Sequence, residues 1–289
     1  MLPDMKGRPS IAIVGPGNLG SALAVSLSRA GYALSAIVAR RGSKGVGRAK
    51  KLAREVGALL LFDPAGVRAD VLWFCVPDSQ IAAVAGWFAE SLQQEVKVAL
   101  HSSGALTSDE LNVLRRNGVA TASVHPLMTF VPGSRSPLAG VAFAIEGDTK
   151  AVRIAKRIVR DLAGHSYAIR KQDKAAYHAW GAFTSPLVTA LLATSEEVAK
   201  LAGVPRKEAK ARAIPILLQT LANYASFGAL GAFSGPVIRG DVGTVKRHLR
   251  ALRKIPIALD VYVALARAGL ELLPSRNQHA LREVLRLRM

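Results

Sequence analysis

Several things are scarce in this chain. It has one cysteine in 289 residues, which excludes a disulfide scaffold and any multi-cysteine metal cluster; no metal site is expected. The lone Cys75 suits a reducing compartment, and the expected location is cytoplasmic. The first ten residues carry no apolar stretch and no small-residue cleavage site, so no export signal is expected there. Long apolar runs are also missing. Ala175–Ser195 and Ala213–Ile238 are uncharged, but the first holds His178 and Pro186 and the second holds Pro215, Gln219 and Asn223. Neither sustains about 20 apolar residues, so both read as buried helices of a core or subunit interface, with no membrane partner.

Acidic residues are scarce too: 20 against 39 basic ones, for a formal charge of +19. Such an excess raises the question of nucleic acid. The cations are spread along the chain, however, and no recognisable nucleic-acid module accompanies them. An anionic cofactor or a basic proteome explains the number more simply, and a nucleic-acid partner is not expected. Half of the residues are hydrophobic, enough for a real core and against general disorder. The length suits one or two domains.

Two halves are visible. Up to about residue 170, short β-rich runs alternate with helical stretches. Ser10–Val14, Tyr32–Ala39, Leu59–Phe62, Val71–Val76, Lys97–His101, Thr121–His125, Val141–Ile145 and Ser166–Ile169 read as strands. Most are continuously apolar, as in a parallel sheet covered on both faces. Helices are expected at Gly20–Ala30, Gly45–Val56, Ser79–Ser91 and Ser108–Asn117. The fold class is therefore α/β: a doubly wound, mostly parallel Rossmann sheet over 1–170. From 171 to 289 the strand signal stops. Asp173–Ala202, Arg206–Phe227, Gly243–Arg253 and Ile257–Leu273 read as an all-helical second domain.

The strongest chemical signal is a G-x-G-x-x-G. Ile11–Val14 runs as a strand into Gly15-Pro16-Gly17-Asn18-Leu19-Gly20, and a helix follows. Gly15 permits the tight turn, Gly17 admits a pyrophosphate, and Gly20 lets the helix pack on the strand. The first amides of the helix, from Asn18 and Leu19 onward, face the phosphates. The end of the second strand reads Ala39-Arg40-Arg41-Gly42-Ser43. A carboxylate there would suit NAD. Two guanidinium groups and a hydroxyl, Arg40, Arg41 and Ser43, suit the 2′-phosphate of NADP. The bland alternative is a solvated basic loop, since Arg48, Lys50, Lys51 and Arg54 continue the run.

In this architecture ligands lie beyond the carboxyl ends of the strands. Val76 and Pro77, followed by Asp78, end the fourth strand near the expected cofactor ribose; Asp78 could equally cap the next helix. His101-Ser102-Ser103-Gly104 ends the fifth strand and His125 the sixth, on the same rim. On the helix from Asp173, residues Lys174, His178, Gly181 and Ser185 fall on one face of an otherwise apolar surface. Lys174 could also mark the domain surface and His178 a satisfied core imidazole. Further on, Arg239 and Asp241 bracket Gly240 in a loop. They could be a salt bridge with Asp241 as helix cap, or a pocket wall offering Arg239 to an anion.

Taken in order, G-x-G-N-L-G, V-P-D, H-S-S-G-A-L, S-V-H-P-L-x-T-F, D-K-x-x-Y-H and S-G-P-x-x-R-G-D resemble a bacterial family that joins a Rossmann-like domain to a C-terminal helical domain of unknown function. That family is similar to pyrroline-5-carboxylate reductases, ketopantoate reductases and deazaflavin-dependent NADP oxidoreductases. The resemblance implies an NADP-linked oxidoreductase fold and a helical domain that pairs subunits as a homodimer. Relatives carry Ser-Asn where this chain has Ser185-Pro186, and Pro186 should kink its helix. The function expected is NADP(H)-dependent reduction, or the reverse oxidation, of a small carbonyl or imine compound. Lys174 is the first candidate acid, because burial lowers an ammonium pKa, followed by His178 and His125. Ser102 and Ser103 are expected to hydrogen-bond substrate or nicotinamide, and Ser185 and Arg239 to contact a substrate that could be anionic. A non-catalytic NADP sensor or scaffold is the alternative.

Overall fold

The computed structural model describes residues 7–91, 96–133 and 137–286. They fall into two compact units that divide between Ala182 and Phe183.

The first unit holds one sheet. Its strands are β1 (Ile11–Val14), β2 (Leu34–Val38), β3 (Leu59–Leu61), β4 (Val71–Phe74), β5 (Val98–His101), β6 (Ala120–Pro126), β7 (Ala142–Gly147) and β8 (His165–Ala168). The spatial order is β3-β2-β1-β4-β5-β6-β7-β8. From β3 to β6 every pairing is parallel, because helical crossovers return the chain to the same edge: α1 (Asn18–Arg29), α2 (Val46–Glu55), α3 (Ile81–Ser91) and α4 (Asn112–Arg116). Between β6 and β7 no helix intervenes among the described residues, and that pair is antiparallel. The continuous apolar strands have the physical meaning expected of them. Ile11, Ile13, Trp73, Val98 and Leu100 pack on one face. Ala12, Val14, Leu72, Phe74 and Ala99 pack on the other.

Helix α5 (Thr149–Asp161) is not among the helices expected above. It buries Ala151, Ala155, Ile158 and Val159 at helical spacing, but Lys150, Arg153, Lys156, Arg157 and Arg160 surround that narrow stripe and mask it in the sequence. Where one helix was expected from Ser108 to Asn117, a 3-10 turn (Ser108–Leu111) leads into α4.

One expectation needs correction. The stretch Asp173–Ala202 is two helices, α6 (Lys174–Thr184) and α7 (Pro186–Leu201). Ser185 stands between them with φ −135° and ψ −78°. Pro186 lacks an amide hydrogen and opens the new helix at its first position, where none is needed. Ser185 therefore does not continue the face that carries Lys174 and His178.

Within the second unit follow α8 (Arg206–Ala232), α9 (Pro236–Arg239), α10 (Val242–Leu252), α11 (Pro256–Leu272) and α12 (Gln278–Arg286). Its core gathers Val245 and Leu249, Ala266 and Leu270, and Leu281, Val284 and Leu285 from α10, α11 and α12. The last of these helices was not foreseen. At Gly228 (φ 66°, ψ −177°) α8 is interrupted, one residue past its expected end at Phe227, and it then resumes to Ala232. The helical stretch Arg206–Arg239 is long and apolar enough to cross a bilayer by length and composition, and none of its apolar window is buried within the chain.

Candidate functional site

Register across the parallel strands builds the site. Val14 pairs with Phe74, Phe74 with His101, and His101 with Ser123. The residues that follow these positions share one rim: Gly15 after β1, Cys75 and Val76 after β4, Ser102 and Ser103 after β5, with His125 two residues past Ser123.

The glycine loop fits a dinucleotide. Gly15 has φ +94°, and a Cβ there would lie 2.8 Å from the Cys75 carbonyl oxygen and from Val76 Cγ1. A Cβ on Gly20 would sit 2.2 Å from the Gly15 carbonyl oxygen. These two glycines are required by the protein's own packing. Gly17 is different: nothing lies within 4 Å of where its Cβ would be. The Gly17 amide donates to the Gly15 carbonyl (2.9 Å), and among the described residues no side chain caps the amides of Asn18 and Leu19 that open α1. Open space beside uncapped amides at the positive end of a helix is a fit for a pyrophosphate. The Asn18 side chain is occupied, with Nδ2 donating to the Phe130 carbonyl (3.2 Å) and Oδ1 accepting from Arg48 (3.4 Å). Leu19 packs against the sheet. Beyond β2, Arg40 and Arg41 are exposed and neither forms an ion pair among the described residues. The Arg41 guanidinium lies over the Phe62 ring, 5.7 Å from its centre. Ser43 closes the turn, its amide reaching the Arg40 carbonyl at 3.4 Å.

Further along the rim, the structure brings together Lys174, Ser103, Ser123, Asp78, His125 and His178. Lys174 is fully buried. Its Nζ donates to the Ser103 carbonyl oxygen (3.0 Å) and to Ser123 Oγ (2.6 Å), and Ser123 Oγ in turn donates to the same carbonyl (3.2 Å). Burial pushes the Lys174 pKa down to about 8, against the pull of Glu146 and Asp78. The start of α6 is fixed by Lys171, whose Nζ meets Asp109 Oδ1 at 2.5 Å. Lys171 and Arg115 hold the Asp109 carboxyl down at about 2. Glu146 is buried and accepts from the Ser108 amide (2.6 Å) and hydroxyl (2.9 Å).

His125 Nδ1 lies 2.9 Å from the Tyr177 hydroxyl, and burial drives its pKa down to about 4, with Lys174 adding to the effect. Burial also raises the Tyr177 phenol, which stays protonated. The His125 and His178 rings meet edge to face, 5.9 Å apart. Gly104 allows this: a Cβ there would fall 2.5 Å from His178 Cδ2 and 2.8 Å from His125 Nε2. His178 itself is exposed, not a core imidazole.

The two serines have different partners within the protein. Ser102 Oγ accepts the Trp73 indole N–H at 2.8 Å and is buried beneath the rim. Ser103 Oγ donates to Asp78 Oδ2 (2.8 Å) and accepts from the amides of Ala105 and Leu106 (3.2 and 2.9 Å). Both hydroxyls have partners within the protein, and the Ser103 carbonyl accepts from Lys174. Asp78, for its part, turns to Ser103 from a 3-10 turn (Asp78–Gln80) instead of capping a helix from Ser79. Ser123, Gly104, Tyr177 and Glu146 were missed as individual residues. The first three stand inside motifs already quoted, but only the folded chain assigns them partners.

Ser185 and Arg239 belong to the second unit. The Ser185 carbonyl accepts from Thr189 N and Oγ1, which opens α7. Arg239 ends α9, and Asp241 caps α10 through the Thr244 amide at 2.9 Å.

Comparison with known proteins agrees with this architecture. Residues 4–126 match a Rossmann-like domain, and residues 141–268 match a domain of unknown function (DUF2520). No curated protein matches the chain. Among solved structures, a Bacteroides fragilis protein described as an NADP oxidoreductase is 24% identical, with a TM-score of 0.76 over 90% of this chain and 97% of that one. A Thermotoga maritima protein is also 24% identical, with a TM-score of 0.70 over 96% and 98%. A reductive aminase from Aspergillus terreus, solved with NADPH and ethyl-5-oxohexanoate, is 16% identical, with a TM-score of 0.64 over 92% and 94%. At these identities the solved structures share the fold. With both matches in sequence order, the chain carries a Rossmann-like domain followed by a DUF2520 domain.

Proposed function

We propose that the protein is an NADP(H)-dependent oxidoreductase that reduces a small carbonyl or imine compound, or runs the reverse oxidation, with Lys174 as the proton donor. NADPH, when bound, supplies the hydride. Gly15, Gly17 and Gly20 with the amides of Asn18 and Leu19 would hold its pyrophosphate, Arg40, Arg41 and Ser43 its 2′-phosphate, and Val76 and Pro77 would line the ribose side. The described NADP oxidoreductase of B. fragilis and the NADPH complex of the A. terreus aminase, on the same fold, support this cofactor.

The observation that carries the reading is the setting of Lys174 Nζ. Its two protein acceptors, Ser103 O and Ser123 Oγ, take two N–H bonds. A neutral amine has just two to give, so both acceptors stay satisfied when the proton has left. Among the described residues, only the third proton of the ammonium has no acceptor in the scaffold. That proton is the one Lys174 would give to the substrate oxygen or nitrogen. With its pKa at about 8, the group can give and regain a proton near neutrality. His125, held neutral against Tyr177, and the exposed His178 complete the polar wall as the second line of proton-handling groups. Ser185 and Arg239 are proposed substrate contacts of the second unit, Arg239 for an anionic group.

The test is a carbonyl and imine library read by NADPH absorbance. With any substrate found, Lys174→Met should lower kcat at least about a hundredfold, the range of general acid catalysis, while NADPH affinity stays within twofold. Wild-type turnover in that variant removes Lys174 from the mechanism.

The second unit supports pairing of two copies. Its 27-residue α8 buries only Ala209. Ile216, Leu218, Leu221, Phe227 and Leu230 are all more than 60% exposed. Uncovered apolar area of this extent calls for a partner, and a second copy of the same helices is the proposed one. The cytoplasm is the proposed location.

A further inference from the structure

We infer that His101 is the positioning residue for Lys174: one buried imidazole closes the loop after β5 from both ends and so places the carbonyl that holds the ammonium. The inference rests on the reading of Lys174 as proton donor, and it concerns a residue with no exposed surface.

His101 is fully buried at the last position of β5. Its Nδ1 accepts from the Ser103 amide at 3.1 Å. A ring nitrogen that accepts cannot carry a hydrogen, so the hydrogen of the neutral ring is on Nε2. There it donates to the Thr107 carbonyl, 2.9 Å away. The segment Ser103–Thr107 is thereby clamped at its first amide and its last carbonyl by one side chain. Inside the clamp, Ser103 Oγ accepts from Ala105 and Leu106 and donates to Asp78. The Ser103 carbonyl is left facing Lys174 Nζ and Ser123 Oγ.

Protonation of His101 would turn its Nδ1 into a donor aimed at an amide N–H. It would also place a cation near Lys174 with only Asp78 in opposition. Burial accordingly holds the imidazole neutral, down to about 4. The charged and titratable groups around the pair are Asp78 from the turn after β4, Glu146 from β7 and His125 from β6. None of them makes a hydrogen bond to His101 among the described residues. Glu146 instead grips Ser108, the residue next to the far end of the clamp.

The experiment reads Lys174 directly. Full-length protein labelled with 13C,15N-lysine is titrated by NMR, with the Lys174 signal assigned by its loss in Lys174→Met. Wild type should titrate near pH 8. His101→Asn keeps an acceptor for the Ser103 amide and loses the donor to Thr107. His101→Gln does the reverse. Each breaks the clamp at one end, and each should move the Lys174 midpoint up toward the ordinary lysine value of about 10.4 as water reaches the ammonium. A structural role alone would lower the melting temperature and leave that midpoint in place. An unmoved midpoint in folded variants overturns the inference. A second measurement needs no variant: long-range 1H–15N correlation on wild type should show His101 as the Nε2–H tautomer, unchanged from pH 5 to 9. The opposite tautomer, or titration within that range, overturns it equally. Turnover of Lys174→Met judges the proton-donor reading separately, because neither NMR readout depends on activity.

Discussion

Burying Lys174 has a consequence for folding that needs no substrate to observe. Its folded pKa is about 8, against about 10.4 in an unfolded chain. A lowered lysine pKa means that the fold favours the neutral amine. Below pH 8 both states bind the proton and the full penalty applies. Between pH 8 and 10.4 the unfolded chain binds more protons than the folded one, so stability rises with pH. Above that interval the penalty is gone. At 1.36 kcal/mol per pH unit, the gap of roughly two and a half units corresponds to about 3 kcal/mol at pH 7, falling below about 1 kcal/mol at pH 10.

Lys174→Met removes the titration and keeps most of the side-chain volume, so the difference between variant and wild type isolates this group. Relative to wild type, the variant should lose about 2–3 kcal/mol of its stability advantage between pH 7 and pH 10. Urea unfolding by tryptophan fluorescence is the assay, because Trp73, Trp87 and Trp180 all lie in the first unit, as does Lys174. The constant offset between the proteins also contains the loss of two hydrogen bonds; the pH slope does not. A difference that stays flat from pH 7 to 10 refutes the reasoning, because it would mean that the ammonium is solvated in the folded protein.

Two further outcomes are expected. Arg40→Asp replaces a donor for the 2′-phosphate with a repelling carboxylate and should weaken NADP(H) by about ten- to a hundredfold, the worth of one charged hydrogen bond, with NAD(H) nearly unchanged; equal losses for both coenzymes in fluorescence titration would remove Arg40 from the cofactor site. Light scattering at micromolar concentration should give twice the chain mass, and Leu221→Asp on α8 should lower it toward the monomer; a monomeric wild type with a single sharp thermal transition would contradict pairing through α8.

Much of the first unit was legible in the linear chain because its signals are local. Buried parallel strands need unbroken apolar runs, as β1, β4 and β5 show, and all eight strands lie within two residues of their expected bounds. The glycine loop was equally plain, since Gly15 and Gly20 answer to backbone atoms a few residues away or on the next strand. Helix α5 escaped because its stripe is narrow and half of it is alanine. The α6–α7 break needed the backbone of Ser185, although Pro186 was visible as its cause.

The site divides along the same line. Sequence alone determines which residues stand at the carboxyl ends of β1, β4, β5 and β6, because strand length and apolar pattern are properties of the chain itself. It marked Lys174 as unusual for its surroundings. It could not give Lys174 its partners, which come from residues 71 and 51 positions away, nor show that the hydroxyls of Ser102 and Ser103 turn to Trp73 and Asp78 while the Ser103 carbonyl turns to Lys174. Hydrogen-bond assignment at a buried site is a competition among all donors and acceptors within about 3 Å, and that neighbourhood exists only once β4, β5, β6 and α6 are packed together.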